Sequence, residues 1–235
     1  MKRLLLLSNS TMPDDQFLGW PEAYIKSFFG EKRLKILFFP YAGVTFSFDE
    51  YFDKVSERFD AMGYEIIPAH RVQSKEKALS EADAIAVGGG NTFQLADHLQ
   101  KGWIEGIRKK VEEGAPYIGW SAGSNAACPT LKTTNDMPIV EPQSFKMLDL
   151  IPFQINPHYT ESTIPNHGGE TRPLRIKEFL VANPSITVIG VPEGGLLQIE
   201  GGSMRYKGIG AVRVFQNGKE VETYTEDDDL DRWLK

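Results

Sequence analysis

Four short apolar runs set the frame for this chain: Leu4–Leu7, Leu34–Phe39, Ala84–Val87 and Tyr117–Trp120. Each is nearly free of polar residues, which is how a strand reads when both its faces are covered. Between them the apolar spacing turns helical. Asp15 to Phe29 carries Phe17, Leu18, Ala23, Tyr24, Phe28 and Phe29, is broken early by Pro21, and ends at Gly30. Phe48 to Met62 stops at Gly63, and Lys77 to Ala82 is short. Thr92 to Gln100 opens on Thr92 as its N-cap, and Trp103 to Glu113 follows. Tyr64–Pro68 adds a further strand. This alternation predicts an α/β fold, a mostly parallel central sheet with helices on both faces. Ligands of such sheets bind beyond the carboxyl ends of the strands. The loops there are Ser8-Asn9-Ser10, Tyr41-Ala42-Gly43, Gly88 to Asn91 and the turn at Ser121.

Past Cys128 the pattern changes. Thr130 to Gly169 is rich in Pro, Asn, Thr and His, and its regular periodicity is weak. Long irregular segments in compact domains are functional or disordered, and the apolar and aromatic content here favours order. Thr171 to Val181 then reads as a helix with Pro173 near its start, and Ile186–Val191 as a strand running into Pro192-Glu193-Gly194. Leu196–Ile199, Met204–Tyr206 and Ala211–Phe215 read as short antiparallel strands, and Asn217-Gly218 as a hairpin turn. The acidic run Glu226 to Asp229 is a solvated face or a helix start. With no internal repeat and no linker, residues 1–235 are expected to form a single domain.

Charge and cysteine usage narrow the function class. The net charge of −6 argues against a nucleic-acid partner. No run approaches the length of a membrane span. Leu4–Leu7 behind Met1-Lys2-Arg3 is too short for a secretory signal and reads as a first strand. The single Cys128 excludes an intramolecular disulfide and a multi-cysteine zinc site, and suits a reducing compartment.

Gly119-Trp120-Ser121-Ala122-Gly123 is G-x-S-x-G in a strand-turn-helix setting, since Ser124-Asn125-Ala126-Ala127 is able to begin a helix. A serine there sits on a sharp turn with its hydroxyl exposed, although a tight turn with an inert serine is the plainer reading of the motif alone. A serine hydroxyl needs a base within hydrogen-bond reach, oriented by a third group. Of the four histidines, His98 falls within a helix and reads as a surface residue. His70 follows a strand, and His167 lies beside Gly168-Gly169. His158 follows Asn156-Pro157, where proline restrains the chain, and is the preferred base, with His70 and His167 as alternatives. For the acid, Glu193 at a strand's carboxyl end is preferred to Asp136, in the loop after the serine helix. The order Ser121…His158…Glu193 reverses the last two members relative to α/β-hydrolases, whereas Ser121–Asp136–His158 would keep their order. The Ala122 N–H and the Gly90 N–H, with Gly89 as the near alternative, are expected to hold the oxyanion. A phosphate-cradling use of Gly88-Gly89-Gly90 lacks the lysine such loops carry.

The segments Leu4 to Ser10, Val87 to Gln94, Tyr117 to Gly123, Thr133 to Val140, Gln154 to His158, Gly169 to Arg172 and Val191 to Gly194 together resemble the peptidase E family of α-aspartyl dipeptidases. They span nearly all of the chain in order, which is far more specific than G-x-S-x-G alone. The resemblance implies a fold like that of class I glutamine amidotransferases, with serine where those enzymes carry cysteine. It implies hydrolysis of small peptides of the form Asp-X, no metal or organic cofactor, and a cytoplasmic location. A monomer or homodimer without membrane or nucleic-acid partners is expected. Ser121 and His158 take the family's nucleophile and base, and the matches at Glu193 and Asp136 both survive.

An aspartyl pocket must pair a buried carboxylate. Arg172 is the first candidate for that role, with Asn91 a second substrate-binding residue and Asp136 a possible acceptor for the free amine. Two other classes compete. An amidase or amidotransferase-like hydrolase would call on Cys128, and a catalytically dead binding protein would leave Ser121 unreactive.

Overall fold

The computed structural model describes residues 1–163, 168–226 and 228–235. In its first half, strands β1 (Arg3–Leu7), β2 (Lys35–Phe39), β3 (Glu65–Pro68), β4 (Ala84–Val87) and β5 (Tyr117–Trp120) alternate with helices. These are α1 (Glu22–Phe29), α2 (Phe48–Ala61), α3 (Lys75–Glu81), α4 (Thr92–Leu99) and α5 (Ile104–Glu112). Helix α6 (Ala122–Ala127) follows β5 directly. The second half holds β6 (Gln154–Asn156), α7 (Arg172–Ala182), β7 (Thr187–Gly190), β8 (Gly195–Glu200), β9 (Ser203–Gly208), β10 (Val212–Gln216) and β11 (Glu222–Tyr224).

The central sheet has seven strands in the order β3-β2-β4-β5-β1-β8-β9. The first five are parallel, and β8 and β9 extend the sheet antiparallel. Side chains alternate across it with period two. Leu4, Leu6, Leu37, Phe39, Ile85, Val87 and Tyr117 face one core, shared with Leu79, Leu95, Ile107 and Ala126 from α3 to α6. Leu5, Leu7, Ile36, Phe38, Ala86, Ile118 and Trp120 face the other, shared with Ile25, Phe28, Val55 and Phe59 from α1 and α2. Both faces are covered, so the strands read as unbroken apolar runs. Full burial of each Leu, Ile, Val or Phe among these side chains is worth roughly 1.5–3 kcal/mol.

Three details depart from the sequence reading. Helix α1 begins at Glu22 rather than Asp15, because Pro21 occupies its N-cap and Asp14 and Leu18 before it adopt positive φ. Asn91, not Thr92, caps α4, its Oδ1 accepting from Phe93 N–H at 3.1 Å and Gln94 N–H at 3.2 Å. A second sheet, β11-β10-β7-β6, was not legible in advance. Its strand β6 is three residues long, too short to show a period. It pairs in parallel with β7, Gln154 opposite Val188 and Asn156 opposite Gly190. Helix α7 packs on this sheet through Ile176 and Leu180, against Val188 and Phe215.

Candidate active site

Ser121 stands between β5 and α6 with φ 52° and ψ −111°. A non-glycine residue there stores strain of order 1–3 kcal/mol and persists only where its surroundings over-determine it. Those surroundings are specific. The Ser121 N–H donates to Leu7 O at 3.0 Å. A Cβ on Gly119 would meet Gly123 O at 2.4 Å, and one on Gly123 would meet Val87 O at 2.1 Å. The two glycines of the motif therefore let α6 lie directly against β5 and β4. Below the turn, Tyr117 Oη donates to Gly123 O at 2.6 Å. Ser124 Oγ lies 2.6 Å from Leu7 O.

The parallel pairing of β6 and β7 places two loops side by side. His158 lies just past β6 and Glu193 just past β7. His158 Nε2 is 2.9 Å from Ser121 Oγ, and His158 Nδ1 is 2.6 Å from Glu193 Oε1. The backbone beneath them is tied down. The His158 N–H donates to Ser8 Oγ, which donates to Val191 O, both at 2.8 Å. The Tyr159 N–H donates to Val191 O at 3.0 Å. Asn135 Nδ2 donates to Pro157 O at 2.7 Å, and the Gly194 N–H donates to Asn9 Oδ1 at 2.9 Å. The side chains of His158 and Glu193 are 38% and 50% exposed, so solvent screens their mutual charge and Glu193 acts chiefly on the orientation of the ring.

The imidazole thus bridges a hydroxyl and a carboxylate, the arrangement that makes a serine nucleophilic. Beside it run Gly88 to Gly90. A Cβ on Gly89 would lie 3.1 Å from Ser121 Cβ, and one on Gly90, at φ +135°, would meet Ala42 O at 2.2 Å. Glycine is required here for close approach. Ala122, the first residue of α6, presents an N–H that has no partner within the helix.

Other expected site residues lie elsewhere. Asp136 Oδ2 accepts from Thr92 N–H at 2.7 Å, Thr92 Oγ1 at 2.5 Å and Thr134 Oγ1 at 2.9 Å, which seats the carboxylate at the N-terminus of α4. The acid touching the imidazole is Glu193. Asn91 spends its amide on capping α4 and on Met137 O, at 2.8 Å, and does not line the cleft. Arg172 lines a separate cavity with Thr160, Ser162, Thr163 and Arg175. Burial, and then Arg175, lower its pKa. His70 pairs with Asp49 at 2.6 Å. His98 is half-buried rather than a plain surface residue, its ring stacked on Tyr41 at 4.9 Å, and burial lowers its pKa. His167 lies outside the described residues, as does Asp227 of the acidic run. Cys128 is fully buried, with the Ile155 N–H donating to its Sγ at 3.2 Å, and burial pushes its thiol up to about 12. Such a thiol is no nucleophile at neutral pH.

The cleft that holds Ser121 has a volume of about 510 Å³. Its walls include residues that sequence reasoning passed over: Phe17, Phe46, Glu50, Tyr51 and Lys54. Helix α2 supplies the last three, and its amphipathic pattern gives no sign that its edge faces a cleft. Tyr51 and Trp120 form a buried chain, Trp120 Nε1 donating to Tyr51 Oη at 2.9 Å and Tyr51 Oη to Gly89 O at 3.0 Å. Among the described residues no cluster of His, Cys, Asp and Glu is placed to hold a metal ion. No described helix is long and apolar enough to cross a membrane.

Comparison with known proteins gives a consistent result. The sequence profile of peptidase family S51 matches residues 4–207. A peptidase E from Nostoc sp. is 51% identical over 235 residues, covering 100% of this chain and 97% of that protein. A peptidase E from Salmonella typhimurium is 46% identical over 219 residues, covering 93% of this chain and 95% of the relative. The crystal structure of a peptidase from an acI-B1 Actinobacterium superposes with a TM-score of 0.69 at 17% identity, covering 98% of this chain and 96% of that one. At that identity it speaks for the fold alone.

Proposed function

This chain belongs to peptidase family S51, and from that premise we propose that it is a serine dipeptidase cleaving Asp-X dipeptides through an acyl-enzyme on Ser121. The observation that carries the reading is the His158 ring, which spans Ser121 Oγ at 2.9 Å and Glu193 Oε1 at 2.6 Å. His158 Nε2 takes the Ser121 proton as Oγ attacks the peptide carbonyl. The N–H groups of Gly90 and Ala122 hold the resulting oxyanion. The imidazolium, its Nδ1–H held by Glu193, then protonates the departing amine, and the N-terminal residue stays on Ser121 as an ester. Water deprotonated by His158 attacks that ester and frees Ser121 and aspartate.

We read residues 1–235 as one catalytic domain acting on small peptides. A cytoplasmic setting is supported by the lone free thiol of Cys128. Incubation with L-aspartyl-L-leucine tests the proposal. The parent protein releases both amino acids, and Ser121→Ala loses at least a thousandfold in kcat while keeping its melting temperature within a few degrees. Full activity of Ser121→Ala, or no turnover of any Asp-X peptide by the parent, overturns it.

A further inference from the structure

An aspartyl dipeptide brings two carboxylates into the cleft, and a carboxylate removed from water needs a cation or several donors. Arg172 lies in another cavity. Of the described residues lining the Ser121 cleft, Glu50, Glu193 and Lys54 carry formal charge at neutral pH, and among these only Lys54 is cationic.

Lys54 is also left without a carboxylate of its own. Glu50 precedes it by one helical turn, the spacing at which Glu and Lys ordinarily pair. Here Glu50 is taken by the start of α2. Its Oε2 accepts from Ser47 N–H at 2.7 Å and Ser47 Oγ at 2.8 Å, while Ser47 Oγ accepts from Glu50 N–H at 3.1 Å. Among the described residues no carboxylate oxygen lies within 4.0 Å of the Lys54 ammonium. That ammonium instead sits 4.4 Å from the centroid of the Phe17 ring, and Phe17 lines the same cleft. The ring face steadies the cation without neutralising it. The capping box and Phe17 together hold one uncompensated positive charge at the wall of the cleft.

We propose that Lys54 is the carboxylate-binding residue of this site, its ε-ammonium pairing with a substrate carboxylate. The assignment rests on the dipeptidase reading above. The ligand group is a carboxylate, supplied either by the N-terminal aspartyl side chain or by the free C-terminus. Lys54 binds and positions; it takes no part in the proton transfers.

The test compares the parent with Lys54→Met, which keeps the alkyl stem on Phe17, and Lys54→Arg, which keeps the charge. Each is assayed on aspartyl-leucine, asparaginyl-leucine and aspartyl-leucine amide. Lys54→Met is expected to lower kcat/KM on aspartyl-leucine about 10- to 100-fold, mainly through KM, and Lys54→Arg to recover most of it. If the aspartyl side chain is the ligand, the amide suffers the same loss and discrimination against asparaginyl-leucine shrinks. If the C-terminus is the ligand, the amide loses nothing further in Lys54→Met. Lys54→Met within twofold of the parent on aspartyl-leucine overturns the assignment. Calorimetric titration of aspartyl-leucine into Ser121→Ala and into Ser121→Ala with Lys54→Met separates this proposal from the reading beneath it. Binding that depends on Lys54 sustains the carboxylate site even where turnover is absent, and binding indifferent to Lys54, or none, overturns it.

Discussion

Ser8 holds His158 from below: its hydroxyl accepts the His158 N–H and donates to Val191 O, each at 2.8 Å. His158 has φ 52°, a strained conformation for a side-chain-bearing residue. Ser8 is fully buried at the end of β1, and it joins β1 to the loops that follow β6 and β7. Ser8→Ala leaves the His158 N–H without its partner, at about 1–3 kcal/mol, while Val191 O keeps the Tyr159 N–H. We expect a lower melting temperature and a kcat reduced about tenfold with KM nearly unchanged. Thermal denaturation with steady-state kinetics checks both, and an unaltered kcat would show that the ring holds its place without Ser8.

The two acids separate by the same logic. Glu193→Gln leaves the packing intact but removes the partner that fixes the His158 tautomer, so kcat is expected to fall about 100- to 1000-fold with little change in stability. Asp136→Asn removes an anionic cap from α4, costing about 1–2 kcal/mol, and is expected to lower kcat far less. Both are read from kcat and from urea unfolding midpoints. A larger kcat loss in Asp136→Asn than in Glu193→Gln would reverse the assignment.

Tyr51 bears on the proposed oxyanion site through one peptide plane. In a trans peptide the C=O of Gly89 and the N–H of Gly90 point in opposite directions, so a hydroxyl bonded to the carbonyl also aims the N–H. Tyr51 Oη makes that bond at 3.0 Å, and the Phe38 ring braces both Tyr51 and Trp120. Tyr51→Phe keeps the ring and removes the bond. Affinity for a boronate analogue of the tetrahedral intermediate is expected to drop about tenfold, with affinity for the product aspartate held within twofold. Equal losses for both ligands would make Tyr51 a packing residue only.

Cys128 makes a prediction about pH. Burial raises its folded pKa from 9.0 to about 12, favouring the protonated thiol. Above pH 9 the unfolded chain releases this proton and the folded chain retains it. The unfolded state then binds fewer protons, and this group's contribution to stability declines as pH rises from 9 toward 12. In the folded protein at pH 8, iodoacetamide is expected to leave Cys128 unmodified. Cys128→Ala is expected to keep its activity, whereas abolished activity would restore the cysteine-dependent alternative.

Much of the architecture was open to direct reading. The runs at Leu4, Leu34, Ala84 and Tyr117 became the parallel strands β1, β2, β4 and β5, because a strand buried on both faces has no polar side to interrupt it. Strand β6 escaped, being three residues inside a polar segment. Arg172 was expected in the pocket because arginine suits a carboxylate, yet sequence proximity to matched residues carries no information about which cavity a helix end lines. Lys54 was missed for the converse reason: on its own helix it is one exposed lysine among several charges.

Local chemistry, then, decided what each segment could become. Apolar runs became covered strands, and two glycines around Ser121 allowed a turn that no larger residue could make, since a Cβ on Gly123 would lie 2.1 Å from Val87 O. Assembly decided which groups meet. His158 and Glu193, 35 residues apart, touch because β6 and β7 pair in parallel and end together. Ser8, 150 residues before His158, holds it because β1 runs through the middle of the sheet. Period and residue type act over one or two turns of chain, whereas strand order and register depend on burying both faces of the whole sheet at once.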